Sequence, residues 1–192
     1  IKKQNYLKHA IVLFLLLLLM QPERAWAAYE NVEFSSLTNH DGLTNSQVGA
    51  ILKDTRGYIW FGTQSGLCRF DGFRMKTFYY SNTDDKSLPN NSVDELQQDY
   101  DGNIWVHTSV GYSIYKYDEE QFERKPEEWL KNIHVQGPPY KLLIDKDKNM
   151  WIAVYGQGLF FHNAKTKNTY LFKFTKKAQP GCLKEGNISK IT

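Results

Sequence analysis

A short block recurs three times along this chain, and its spacing leaves few architectures open. The first copy reads Asp54-Thr55-Arg56-Gly57-Tyr58-Ile59-Trp60-Phe61-Gly62-Thr63, followed by Gly66-Leu67 and Phe70-Asp71. The second reads Asp99-Tyr100-Asp101-Gly102-Asn103-Ile104-Trp105-Val106-His107-Thr108, followed by Gly111-Tyr112 and Tyr117-Asp118. The third reads Asp145-Lys146-Asp147-Lys148-Asn149-Met150-Trp151-Ile152-Ala153-Val154, followed by Gly158-Leu159. The three tryptophans stand 45 and 46 residues apart. A weaker echo precedes each block: Leu43-Thr44-Asn45, then Leu88-Pro89-Asn90, then only Pro138-Pro139 with Leu142-Leu143. Gly186-Asn187-Ile188-Ser189-Lys190-Ile191 reads as a fourth copy beginning.

Each copy divides into four short strands. Val48 to Lys53 alternates loosely, and Asp54 to Gly57 is a hairpin turn whose glycine takes a positive φ. Ile59 to Thr63, Leu67 to Phe70 and Met75 to Tyr79 complete the set, with Gly66 and Asp71-Gly72 as the turns between them. The same division covers 93 to 123 and 140 to 175, with Thr169 to Thr175 as the last strand of the third copy. Four strands at a period near 45, punctuated by glycine, describe the blades of a β-propeller rather than a helical solenoid. The aromatic content of 15% suits half-buried strands. In such a fold Trp60, Trp105 and Trp151 fill the gap between neighbouring blades, each burying roughly 200 Å², while Gly57 and Gly102 shape the turns. Direct stacking of the indoles on a ligand is the alternative.

The expected organisation is all-β. Blades lie at about 41–80, 86–124 and 135–176, a fourth starts from 186, and together they form a partial propeller over 41–192. Residues 28–40 supply a ring-closing strand, of which Asn31 to Thr38 is the strand-like stretch. Three blades do not close a ring of 4 to 8, so open faces and edges are expected to favour aggregation.

The N-terminus has the order of an export signal. Lys2, Lys3 and Lys8 precede an apolar run from Ala10 to Met20, and Ala25-Trp26-Ala27 supplies small residues for cleavage. Residues 1–27 are read as a signal peptide; retention as a membrane anchor is the alternative, although the run is shorter than a usual span. The formal charge of +3 arises in this segment, and the remaining 20 basic and 20 acidic side chains balance. A neutral body offers no footprint for nucleic acid. Cys68 and Cys182 permit one disulfide or none, and their separation in the repeat favours two thiols. The five histidines are scattered without metal-ligand spacing. Neither a metal nor a cofactor is implied. Two sequon matches, Asn90-Asn91-Ser92 and Asn187-Ile188-Ser189, are read as chance.

The stretch Phe34-Ser35-Ser36-Leu37-Thr38, Asp41-Gly42-Leu43-Thr44-Asn45, Asp54, Gly57, Ile59-Trp60-Phe61-Gly62-Thr63, Gly66-Leu67 and Arg69-Phe70-Asp71-Gly72 resembles the opening blade of the two-component regulator propeller family. The later copies depart from that pattern: His107 and Ala153 replace Gly62, Tyr112 replaces Leu67, and Lys148 replaces the turn glycine. The resemblance implies the periplasmic sensor of a hybrid two-component histidine kinase in a Gram-negative bacterium. Its seven-bladed propellers precede an immunoglobulin-like domain, a membrane helix, kinase and receiver domains and a helix-turn-helix output. It further implies a membrane-anchored homodimer, an oligosaccharide signal, and partners in the rest of its own propeller and the downstream sensor domains.

Propeller function generally lives in loops at one end of the ring. Gln64-Ser65, Ser109-Val110 and Tyr155-Gly156-Gln157 are the loops from second to third strand, and Asn82 to Asn91 and Lys131 to Pro139 connect the blades. Amides and aromatic faces suit a sugar, so Gln64, His107, Tyr155 and Gln157 are the candidate ligand-binding residues. No catalytic constellation accompanies them: glycoside hydrolysis needs two facing carboxylates, and Asp54, Asp99 and Asp145 occupy turns. The fragment is read as non-enzymatic. A protein-interaction propeller and, behind it, a carbohydrate-active propeller enzyme are the rival readings. A further tryptophan is expected roughly 45 to 52 residues after Trp151.

Overall fold

The computed structural model describes residues 34–173 and the backbone of 174–175 and 183–184. The chain divides into two compact units, Ile1–Ser36 and Leu37–Thr192. The proposed signal peptide, Cys182 and the start of a fourth copy lie outside the described residues. So do residues 28–33 of the expected ring-closing strand; residues 34–38 carry no regular element, and Asn39–Asp41 form a 3-10 turn. A strand needs a partner edge, and no named strand pairs with this segment among the described residues.

The second unit holds three antiparallel four-stranded sheets in simple meander order. Blade 1 consists of β1 (Val48–Lys53), β2 (Ile59–Thr63), β3 (Gly66–Phe70) and β4 (Met75–Phe78). Blade 2 consists of β5 (Val93–Gln98), β6 (Ile104–Thr108), β7 (Gly111–Lys116) and β8 (Gln121–Glu123). Blade 3 consists of β9 (Pro139–Ile144), β10 (Met150–Val154), β11 (Gly158–His162) and β12 (Thr169–Phe172). These three separate sheets are the blades expected of a propeller. The last strand of blade 3 is shorter than its sequence pattern. Phe172 pairs with Leu159, and β11 begins one residue earlier, so the ladder on that side is exhausted. The chain then forms β13 (Phe174–Thr175), which pairs in parallel with β14 (Leu183–Lys184).

A conserved piece of geometry at the β1–β2 turn recurs in all three blades and ties the turn to the core. Asp54 Oδ1 accepts hydrogen bonds from the backbone N–H groups of Arg56 and Tyr58, at 2.9 and 3.0 Å. Its other oxygen accepts from Trp60 Nε1 at 2.7 Å. Asp99 repeats this with Asp101, Asn103 and Trp105 Nε1, the last at 2.9 Å. Asp145 accepts from Asp147 and Asn149, and the Trp151 side chain is bonded to it as well. Gly57 and Gly102 carry φ of 92° and 86° at the turn. Lys148 takes the same left-handed position with φ 65° and sends its Nζ to the carbonyl of Gln98 in blade 2, 3.0 Å away.

Trp60 and Trp105 each face the blade that follows. Trp60 is 0% exposed and packs edge-on against Tyr115 and Tyr117 of blade 2, with its own blade's Phe78 stacked beside it. Arg69 reaches across the same gap to Tyr115 and Glu120. Trp105 is buried in a cluster with Leu142, Met150, Ile152 and Val154 of blade 3. That second gap is also lined by α1 (Pro126–Leu130) and the 3-10 turn Lys131–Ile133, which insert Trp129, Leu130 and Ile133. Trp151 lies on the far face of blade 3 and is only half-buried, stacked with Phe161 and Phe172. Truncating a covered indole of this kind costs about 3–5 kcal/mol, so the interblade tryptophans dominate cohesion.

Candidate functional site

One irregularity repeats at the same end of every blade. In blade 1, Val48 pairs with Thr63 and Ala50 with Gly62, which leaves Gly49 as an extra residue. In blade 2, Val93 pairs with Thr108 and Glu95 with His107, leaving Asp94. In blade 3, Pro139 pairs with Val154 and Lys141 with Ala153, leaving Tyr140. A bulge re-aims the side chain it displaces and frees it from the ladder pattern. Gly49, Asp94 and Tyr140 therefore occupy one structural position with three different chemistries.

The loops from second to third strand close directly beside these bulges. Thr63 Oγ1 donates to Gly66 O at 2.9 Å and accepts from Ser65 N, which makes a tight two-residue loop; Thr108 and Gly111 repeat it. Val154 has no hydroxyl to offer, and the third loop is one residue longer. Tyr155, in that loop, is 69% exposed.

All four predicted ligand-binding residues fall at this end, on three separate blades. Gln64 lines a shallow depression with Ser46, Gln47, Val48 and Gly49, and its Oε1 accepts from Ser92 Oγ at 2.9 Å. His107 Nδ1 lies 2.5 Å from Asp94 Oδ1, and its ring is tilted against Tyr112 at 4.4 Å. Tyr155 stacks on Tyr140 with ring centres 4.1 Å apart. Gln157 Nε2 donates to Gln136 O at 2.6 Å and borders an open depression of ≈ 400 Å³ with Gly156, Leu171 and Lys173.

The bulge residues Asp94 and Tyr140 were not among the sequence candidates, although each contacts one. Nor were Glu95 and Lys141, whose ion pair at 3.2 Å bridges β5 and β9. Tyr112 joins that bridge: its hydroxyl donates to Glu95 Oε2 at 3.1 Å and accepts from Leu142 N at 3.1 Å. Burial, and then the Glu95 charge, push the Tyr112 phenol well above its ordinary range, so it remains a donor. Below it, Gln97 bonds the main chain of Leu142 and Ile144 with its side-chain amide. Aligning the copies places 49, 94 and 140 in one column, but a bulge has no side-chain signature beyond an occasional glycine.

Chemically, this end offers amides, a carboxylate with an imidazole, and an exposed aromatic pair. Among the described residues no group of three or more His, Cys, Asp or Glu side chains is placed to hold a metal ion. No helix among them is long and apolar enough to cross a membrane. Cys68 is a buried free thiol whose Sγ lies 3.3 Å from Thr44 N.

The sequence profile of the two component regulator propeller matches residues 42–65 and 87–109, which enclose the first two of these turn, tryptophan and loop units. Blades 1 and 2 carry two-component regulator propeller repeats. A curated relative, "Histidine kinase P4" of Formosa agariphila, is 41% identical over 61 residues, or 32% of this chain. The chain spans only 4% of that relative's length through the match. Among solved structures, the chain is similar to the extracellular domain of a one component system from B. thetaiotaomicron (18% identity, 69% of this chain and 19% of that one, TM-score 0.45). It is also similar to the extracellular domain of a hybrid two component system from the same organism (18%, 72% and 26%, TM-score 0.35). A catalytically inactive virginiamycin B lyase from Staphylococcus aureus is a third (15%, 68% and 43%, TM-score 0.39). Blade 3 lies outside the matched stretches, in keeping with Lys148, Ala153 and Val154 at positions that are Gly57, Gly62 and Thr63 in blade 1.

Proposed function

We propose that this chain is part of an exported, ligand-sensing propeller of a hybrid two-component sensor, and that its bulged end contacts an oligosaccharide. The observation that carries the reading is the repeated bulge. Three blades present Gly49, Asp94 and Tyr140 at one height beside Gln64, His107 and Tyr155. Such a row varies in chemistry while the frame beneath it stays fixed. The exposed Tyr155 ring, backed by Tyr140, offers a flat face for the C–H side of a sugar. Gln157 stands in the same loop for hydroxyl groups. The Lys-rich start and apolar run from Ala10 to Met20 support export, and the regulator propeller repeats support a sensor.

In this reading the chain catalyses nothing itself. A ligand held across several blades signals by binding one arrangement of the whole sensor more tightly than another, which shifts their populations. The kinase, a membrane anchor, a periplasmic setting and homodimerisation are part of the same proposal for the whole of such a protein.

Isothermal titration of the chain with a panel of neutral and acidic oligosaccharides tests the site. Tyr155→Ala is expected to weaken binding roughly tenfold, equivalent to about 1.4 kcal/mol, with a smaller loss for Asp94→Ala. A panel member that binds equally well to wild type, Tyr155→Ala and Asp94→Ala, or a panel that does not bind at all, removes the bulged end from consideration.

A further inference from the structure

At the opposite end of the blades, between the Asp99–Asn103 turn, α1 and the loop from β11 to β12, lies a depression of ≈ 300 Å³. Its lining includes Tyr100, Asp101, Trp129, Asn132, His162 and Lys167. Tyr100 and Trp129 face each other with ring centres 6.1 Å apart, and Tyr100 lies 5.5 Å from His162. Lys167 Nζ sits 3.4 Å from the centre of the Tyr100 ring, on a residue with φ 60°.

His162 is 1% exposed, and its hydrogen bonds determine its tautomer. Thr169 Oγ1 donates to the carbonyl of Ile133 at 2.7 Å, which uses its single hydrogen. His162 Nδ1, 2.9 Å from the same oxygen, must then be the donor between them. The ring's remaining nitrogen, Nε2, is left with a bare lone pair directed away from Thr169. Nε2 is buried and has no hydrogen-bond partner among the described residues. Desolvation, aided by the Lys167 charge, holds the imidazole pKa below its ordinary value, so the lone pair persists at neutral pH. Buried polar atoms are nearly always paired; His162 lines the depression, and its unpaired acceptor calls for a donor.

We propose that this depression binds a small uncharged hydroxylated molecule, a ring polyol, whose O–H donates to His162 Nε2 while its C–H face lies against Trp129 and Tyr100. An anion without a hydroxyl brings no hydrogen to Nε2, and a cation meets Lys167. The rim suits such a ligand: Asn132 offers both a donor and acceptor, Asp101 accepts, and the Tyr100 phenol, its pKa raised to about 12 by burial and by Asp101, remains a donor. Lys167 is exposed and is the side chain that moves aside on entry. The volume is at the low end of ligand pockets, roughly 300 Å³, which limits the occupant to a single ring. This site shares no residue with the bulged end and stands or falls separately from it.

Long-range proton–nitrogen NMR of the histidine side chains, recorded on the full chain during titration with myo-inositol and with glucose, decides the matter. The expected result is a saturable shift of His162 Nε2 in the millimolar range, weakened about tenfold in Trp129→Leu. Tyr155→Ala, at the other end, is expected to leave it unchanged. An Nε2 resonance that neither compound moves in the wild type overturns the proposal, whether or not Trp129→Leu folds. A shift that survives intact in a folded Trp129→Leu overturns it as well.

Discussion

At the residue scale, the same turn aspartate meets different surroundings in different blades, and acid stability should separate them. Asp99 is buried between blades 2 and 3, and desolvation raises its pKa despite the bonds from Trp105 and Asn103. Asp145 is partly open; the desolvation it suffers is outweighed by bonds from Asn149, Asp147 and Trp151, and its pKa falls. By linkage, the stabilisation from Asp145 is complete above the unfolded value of 3.8 and is lost as pH drops through the lower folded pKa. Asp99 has the opposite sign: its ionised form penalises folding above its raised pKa, and the penalty is relieved as pH falls toward 3.8. Urea unfolding across the acid range is expected to show a flatter decline for Asp145→Asn than for wild type and a steeper one for Asp99→Asn. Parallel curves for the two variants would contradict the assignment. The aspartates were legible in the sequence as turn residues, because Asp before a positive-φ glycine is a local signal. Their grip on the indole was not, since it depends on how far the tryptophan swings back over the turn.

At the element scale, Gly62 sets the distance between the first two blades. A Cβ on Gly62 would lie 2.6 Å from Val93 Cγ1, while Gly49 brings β1 to β5 so closely that its Cβ would stand 3.2 Å from Val93 O. Gly62→Ala should therefore cost about 1–3 kcal/mol from overpacking. Val93→Ala makes room, so in a double-mutant cycle by chemical denaturation the pair should be less destabilised than the sum of the singles. Additive effects would mean that the clash is relieved elsewhere. Strand positions were legible because turn glycines punctuate a period-2 pattern; β1 and β2 begin and end where that pattern does, and the strands of blade 2 lie within the expected 93 to 123. Two elements escaped it. Pro126-Glu127-Glu128-Trp129-Leu130 falls between the strand patterns of blades 2 and 3, yet Pro at the helix start and two acids in the first turn favour α1 once Leu130 and Trp129 find the interblade gap. The run from Thr169 to Thr175 keeps strand composition throughout, but composition does not reveal that its ladder partner ends at Gly158. Of the site, the loops were legible as loops; the bulges were not, because Asp94 and Tyr140 differ from their neighbours only in register.

For the molecule as a whole, the gradient of tryptophan burial fits a stack read in one direction: Trp60 and Trp105 are covered by the next blade, while Trp151 shares a half-open aromatic face with Phe161, Phe172 and the exposed Tyr170. Such a face promotes contact with other copies. Sedimentation velocity is expected to show concentration-dependent association of this chain that Tyr170→Lys reduces; association unaffected by that change would place the sticky surface elsewhere. The bulges carry a different consequence. A residue excused from cross-strand pairing can be exchanged without disturbing the hydrogen-bonded rows on either side, so Asp94 acts as an interchangeable fitting on a standard mount, whereas Gly49 is held to glycine by the approach of Val93 O. Diversifying that one place should yield proteins of nearly equal thermal tolerance and divergent appetite.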